Sequence, residues 1–252
     1  VGNRAALFDL FVEYGADTAL KTSFLGMSLM EYASFFQDTV IVEKLRARGI
    51  PESPEALLYQ GRYDEVIEWA EREPDILTHR YNHGATILLL LASKNRTVEF
   101  KRALELGAKL DQVDDNGQTP LHYAFYSWYG RSEGPSLEFL TFLLDSGCDA
   151  NQKDNFDGTP LHNAAGGWGL KEVKMLLDYG ADPNIRNRSD LTPLHMSVMP
   201  HKWPEVEDEE EVALALIEAG ADVNAMTAYA QYGHEAGITP LHFAARSNMP
   251  RV

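Results

Sequence analysis

Four threonine–histidine pairs are the residues of this chain best suited to chemistry. Thr119 and His122, Thr159 and His162, Thr192 and His195, and Thr239 and His242 each stand in the string Thr-Pro-Leu-His. A hydroxyl beside an imidazole is the material of nucleophilic catalysis, and several imidazoles together are the material of a zinc centre. Four copies at corresponding places argue instead for construction. The other chemical candidates are weaker. The stretch GGWGLK (166–171) has a phosphate loop's glycines but not its Gly-Lys-Ser/Thr spacing or a preceding strand. The acid-rich DQVDDNG (111–117) would need an acid at Gln112 and a glutamate at Tyr123 to follow the calcium-loop register. Cys148, the single cysteine, stands where other units carry Ala108, Ala181 and Ala221, and reads as a small packing residue. His201 and His234 fall in insertions and read as surface residues. No catalytic residue, metal ligand or cofactor site is expected.

The elements that position these residues follow from a period. The threonines at 119, 159, 192 and 239 are spaced unevenly, but a second marker resolves the irregularity. Gly107, Gly147, Gly180 and Gly220 each end an apolar segment. Thr86 to Gly107 and Thr159 to Gly180 are both 21 residues, whereas Thr119 to Gly147 and Thr192 to Gly220 are both 28. Two units therefore carry seven extra residues between their halves, and the segment before Thr239 carries seven more. Without the insertions the period is 33 residues.

A 33-residue period carrying Thr-Pro-Leu-His, with DNGQTPLH at 115–122, GADPN at 180–184 and GADVN at 220–224, resembles the ankyrin repeat. The resemblance covers essentially the whole chain, closely from residue 86 onward and loosely before 53. It implies an all-α ankyrin-repeat solenoid in which each unit is helix, turn, helix and a β-hairpin finger. The units are 28–52, 53–85, 86–118, 119–158, 159–191 and 192–238, flanked by partial repeats at 1–27 and 239–252, in one domain over 1–252. Thr86-Ile87-Leu88-Leu89 opens a unit whose histidine position holds leucine. The finger between Gly49 and Ser53 is nearly absent, which makes 49–53 either a tight joint or a break between two stacks. Both ends fall inside a unit, so the chain is expected to be part of a longer protein.

The residues support this architecture physically. Thr159 is a good N-cap, and Pro160 suits the first helical position, where no amide bond is lost. Leu170, Val173, Leu176 and Leu177 space one apolar face along the second helix, and Gly180 supplies a left-handed stop. One unit cannot bury its own face, so units must stack. In ankyrin-like proteins the threonine and histidine of this string hydrogen-bond at the start of the first helix. The resemblance thus makes Thr119, His122, Thr159, His162, Thr192, His195, Thr239 and His242 structural. Helix axes about 8–10 Å apart would also keep neighbouring imidazoles from sharing one zinc.

Function then lies in the departures from the pattern. Trp128 and Trp168 occupy the tenth position of their units and Trp203 the twelfth, near the turn between the helices. Stacking would align them as an aromatic ridge with Tyr126 and Tyr129 beside it, unless the insertions fold over their own units and bury the rings. The long finger AMTAYAQYGHEAG (225–237) carries Tyr229 and Tyr232, and the finger tips offer Asn116, Asn155, Phe156 and Arg188. Ankyrin-like proteins bind through finger tips and the concave face of the first helices.

Charge narrows the partners. With 22 basic and 38 acidic residues among 252, the formal charge is −16. Such a surface repels phosphate backbones and anionic membranes and attracts a basic protein surface. The run EVEDEEE (205–211) precedes a second helix, where acids suit the helix dipole; docking of a basic partner is its other reading. No apolar run reaches membrane-spanning length, no signal-peptide layout opens the chain, and one cysteine permits no internal disulfide. The two Asn-x-Ser/Thr triplets matter only in a secreted chain. The expectation is a monomeric, non-catalytic protein–protein interaction module in the cytoplasm or another reducing intracellular compartment. It would act as scaffold, adaptor or inhibitor; the alternative is a targeting or regulatory segment of a larger multidomain enzyme or secreted bacterial effector.

Overall fold

The computed structural model describes residues 2–22, 27–125, 135–167, 169–199, 209–228 and 236–247. All regular structure among them is helical, as expected for an all-α repeat stack. The chain divides into two compact units, the first made of Val1–Leu91 with Arg96–Lys109 and the second of Ala92–Asn95 with Leu110–Val252.

The first unit begins with α1 (Gly2–Glu13), which packs on α3 (Thr39–Ala47). The helix pairs follow in chain order: α2 (Leu29–Phe35) with α3, α4 (Pro54–Tyr59) with α5 (Tyr63–Arg72), then α6 (Ile87–Ser93) and α7 (Thr97–Glu105). α2 packs on α4 and α5 on α7, so first helices meet first helices and second helices meet second helices. Met30, Ala33, Val42, Leu45 and Ala56 form one buried apolar cluster, with Phe8 of α1 against it. Burying such side chains contributes roughly 1.5–3 kcal/mol each relative to exposure.

Caps decide where these helices start. Ser28, Asp38 and Ser53 each accept an amide of the first helical turn, and Pro54 follows Ser53 where its missing amide costs nothing. The short segment from Gly49 to Ser53 lies inside this unit. Its Glu52 accepts bonds from Arg46, Arg62 and Gln60, and Gln60 also donates to the Ser34 hydroxyl. A polar knot thus holds α3, α4 and the start of α5 where a finger would otherwise run.

The second unit contains α8 (Pro120–Ala124), α9 (Leu137–Asp145), α10 (Pro160–Gly167), α11 (Leu170–Asp178), α12 (Pro193–Ser197), α13 (Glu209–Glu218) and α14 (Pro240–Ser247). α8, α10, α12 and α14 pack in succession, and α9, α11 and α13 form the second row. Val173 and Leu176 of α11 are fully buried, while Leu170 and Leu177 border them half-buried. The glycine stops take the left-handed backbone, as at Gly180 (φ +82°). α13 starts at Glu209, so Glu210 and Glu211 lie in its first turn, where the dipole favours them, rather than preceding it.

The fingers are tight turns, with no strand among the described residues. In each, one residue donates its amide to the carbonyl four residues on: Asp114 to Gln118, Asp154 to Gly158, Asn187 to Leu191, and in the first unit Tyr81 to Ala85. In the second unit two further amides of each turn go to a side chain instead of a second strand. Asp114 Oδ1 accepts from Asn116 and Gln118, Asp154 Oδ1 from Phe156 and Gly158, and Asn187 Oδ1 from Ser189 and Leu191. In the long finger, Thr227 bonds the same way to Ile238 across the insertion.

Candidate protein-interaction surface

The histidines are fully engaged. The Thr159 amide and hydroxyl both meet His162 Nδ1, at 3.1 and 2.8 Å. An acceptor Nδ1 places the proton on Nε2, which donates to the Leu191 carbonyl, the last before the next unit's Thr192 cap (3.0 Å). His122 does the same toward Gly158 and His195 toward Ile238. All three rings are buried. Burial holds each imidazole below its ordinary pKa, His162 at about 4, so they are neutral ties with no free lone pair. Thr239 and His242 repeat the local half of the tie.

A second tie runs along the segments Gly-Cys-Asp-Ala-Asn (147–151) and Gly-Ala-Asp-Pro-Asn (180–184). Asn151 Nδ2 donates to the Gly180 carbonyl while its Oδ1 accepts the Asp182 amide, at 2.9 and 2.7 Å. Asn184 repeats this with Gly220 and Asp222, at 2.9 and 2.8 Å. Sequence reading took these segments as repeat markers and did not assign the asparagines a role.

Other chemical candidates are also accounted for. Asp114, in the acid-rich loop, receives two backbone amides and the Tyr123 hydroxyl, so its carboxylate is filled by the protein's own donors. Burial pushes the Cys148 thiol up to about 12, which leaves it un-ionised and inert near neutral pH. Among the described residues no group of three or more His, Cys, Asp or Glu is placed to hold a metal ion.

The finger tips form a connected row. The Asn155 amide donates to the Asn116 carbonyl at 2.7 Å, and Asn155 Nδ2 donates to the Asp115 carbonyl at 2.9 Å. The Arg188 amide then donates to the Phe156 carbonyl at 2.7 Å, and the Ala228 amide to Asp190 Oδ2 at 2.6 Å. Arg186 joins the same run by donating to the Met226 carbonyl. Tips are thereby set at a fixed spacing, at little entropic cost to a later binding event. Phe156 is 52% exposed, and the exposed Arg188 places its guanidinium 5.6 Å from the centre of that ring. Val113 and Met226, which sequence reading did not single out, are exposed in the same turns, each just ahead of the turn's first residue. Their signal was register: each precedes Asp114 or Thr227.

Of the sequence-derived contact residues, Asn116, Asn155, Phe156 and Arg188 thus lie together, the asparagines tying the tips and the other two facing outward. Tyr126, Trp128, Tyr129, Trp168, Trp203, Tyr229 and Tyr232 lie outside the described residues, as do His201 and His234.

Comparison with known proteins points the same way. A family model for ankyrin repeats, in three copies, matches residues 129–227. Two curated proteins, both described as Ankyrin repeat protein OPG189, come from Variola virus (isolate Human/India/Ind3/1967) and from Variola virus. Each is 31% identical over 102 residues, which is 40% of this chain and 17% of the relative. The chain thus spans well under a fifth of the length of these relatives. With the 33-residue period, the Thr–His ties and the stacked helix pairs all in place, residues 129–227 are ankyrin repeats.

Proposed function

We propose that the second unit recognises a protein partner through its row of finger tips, with Phe156 and Arg188 at the centre, as scaffold, adaptor or inhibitor. Ankyrin repeats are generally protein-interaction modules, and the family is generally non-enzymatic. The observation that carries this reading is the linked row itself. Backbone bonds between tips fix the surface before any partner arrives, and an aromatic ring is left half in water with a cation stacked on it. Rings and guanidinium groups of this kind dominate protein interfaces energetically. The net charge of −16 supports a partner whose approaching surface is basic, met in a reducing intracellular compartment. Among the described residues no helix is long and apolar enough to cross a membrane. The tryptophans at 128, 168 and 203 and the tyrosines at 126, 129, 229 and 232 are proposed as further contact residues from their place in the sequence.

A photo-crosslinking residue at position 156 tests this, with position 179 as control, since Tyr179 is also partly exposed but caps the C-terminal end of the second helix α11. Position 156 should crosslink a partner that position 179 does not. Against that partner, Phe156→Ala and Arg188→Ala should each weaken binding about tenfold or more, roughly 1.4 kcal/mol. Equal crosslinking at both positions, or unchanged affinity in both variants, would remove the finger row as the contact surface.

A further inference from the structure

The first unit fastens its repeats with carboxyl groups where the second uses imidazoles. Glu31 stands at the histidine position of its repeat. As a carboxylate it accepts the Ser28 amide at 2.8 Å, closing a capping box, and the Ser53 hydroxyl of the next repeat at 2.8 Å. Glu55 stands one position earlier in the following repeat, where the other full repeats carry Met30, Leu88, Leu121, Leu161 and Leu194, all buried. Glu55 is also buried, at 5% exposure, and accepts one long bond, from the Asn82 amide at 3.3 Å. Asn82 belongs to the 81–85 turn, the finger of this unit, and its Nδ2 is buried with no partner among the described residues.

The charged groups around Glu55 mostly oppose its ionisation. Glu31 faces it from α2. Tyr59 on α4 and Tyr81 on the turn are kept un-ionised by burial and by the fields of Glu55 and Glu31, so neither adds charge beside Glu55. Among the described residues the cation acting on it is the exposed Lys21, the weakest of the influences named. From α5, also packed on α4, the charged side chains Asp64, Glu65, Glu68, Glu71 and Arg72 all point into water. The Asn82 amide and the start of α4 favour the anion, but one long bond and a six-residue helix do not offset burial beside a second carboxyl. Burial first, and Glu31 second, push the Glu55 carboxyl up to about 7.

We propose that Glu55 is a proton-operated clasp: protonated, it lets the 81–85 turn close on α4, and ionised beside Glu31 it releases that turn. The sign follows from linkage. In the released state Glu55 is hydrated and ionises near pH 4.5; in the closed state it ionises near 7. Closure is therefore complete in acid and weakens as pH rises through that window.

Hydrogen exchange of the intact chain at pH 5 and pH 8, corrected for intrinsic rates, tests the clasp. Protection of the Gly84 and Ala85 amides should fall about 50-fold between the two, while amides of α7 such as Phe100 and Ala103 keep theirs. Glu55→Gln should hold the turn closed at both pH values; if it does not fold, Glu55→Leu, the residue type of the equivalent positions, replaces it. Equal protection of the turn at pH 5 and 8 in the parent chain would overturn the proposal. So would an undiminished fall in the Glu55 variant, or a matching fall in α7, which would mark general loosening instead of a clasp.

Discussion

Protonating His162 would put an N–H donor where the Thr159 amide already donates, deep in a buried site. The native ring therefore titrates at about 4, against about 6.5 for an unfolded histidine. Between those values the unfolded chain holds a proton that the native chain refuses. The stability contribution is complete above about pH 6.5 and is lost as pH falls toward 4, reaching about 3 kcal/mol for this one ring. Leu89 fills the same position with complete burial and no hydrogen bond to give up. His162→Leu should accordingly lower stability at pH 7.5 by about 1–3 kcal/mol and flatten the acid dependence between pH 6.5 and 4, read by urea denaturation at several pH values. An acid slope as steep as the parent's would show that other groups set it. The string Thr-Pro-Leu-His was legible because its cap is local, within three residues. Its reach to the carbonyl at the boundary with the next unit was not, since Leu191 lies 29 residues on.

At the scale of elements, the finger turns require one residue each in the left-handed backbone, and the chain fills that position unevenly. Gly117 takes it at φ +74°, while Asp157 and Asp190 take it at +57° and +61°. A Cβ on Gly117 would also stand 2.7 Å from Asn155 Oδ1 of the adjoining tip. Gly117→Ala should thus cost about 1–3 kcal/mol, whereas Asp157→Gly, which relieves strain but frees the unfolded chain, should stay within about 0.5 kcal/mol of the parent. Both are measurable as shifts in urea midpoint. Asn184→Ala removes the two bonds that tie its segment to Gly220 and Asp222. Because that pair of bonds is exposed, the expected loss is about 1–2 kcal/mol, seen as faster exchange of the Asp222 amide. An Asp222 amide exchanging at the parent rate would show that the ladder holds nothing. The helices and their stops were readable from the 33-residue spacing, because caps, prolines and glycine stops are short-range choices. The asparagine ladder and the tip-to-tip bonds were not, because each joins residues about thirty to forty apart that only stacking brings together.

For the whole molecule the two units answer pH in opposite senses. Buried imidazoles make the second lose stability in acid, and in the proposed clasp a buried carboxyl loosens the finger of the first as pH rises from about 4.5 to about 7. Exchange profiled across the chain should therefore show the second unit's protection falling below pH 6.5 while the 81–85 turn tightens. Charge acts at this scale too. A surface at −16 steers a basic partner toward it over distances that salt screens. The association rate should fall roughly tenfold between about 20 and 200 mM salt, with dissociation much less affected, in stopped-flow mixing. A rate indifferent to salt would argue against a basic partner.

The amino-acid sequence by itself determined the repeat, its helices, their caps and stops, and the structural standing of the histidines, because each depends on side chains a few positions apart acting on their own backbone. It also placed Asn116, Asn155, Phe156 and Arg188 at finger tips. Stacking alone decided that these tips are bonded into one row, that Phe156 stays half in water under Arg188, and that Glu55 meets Glu31 away from solvent. Those outcomes rest on distances between units and on the water that packing excludes, and neither is a property of neighbouring residues in the chain.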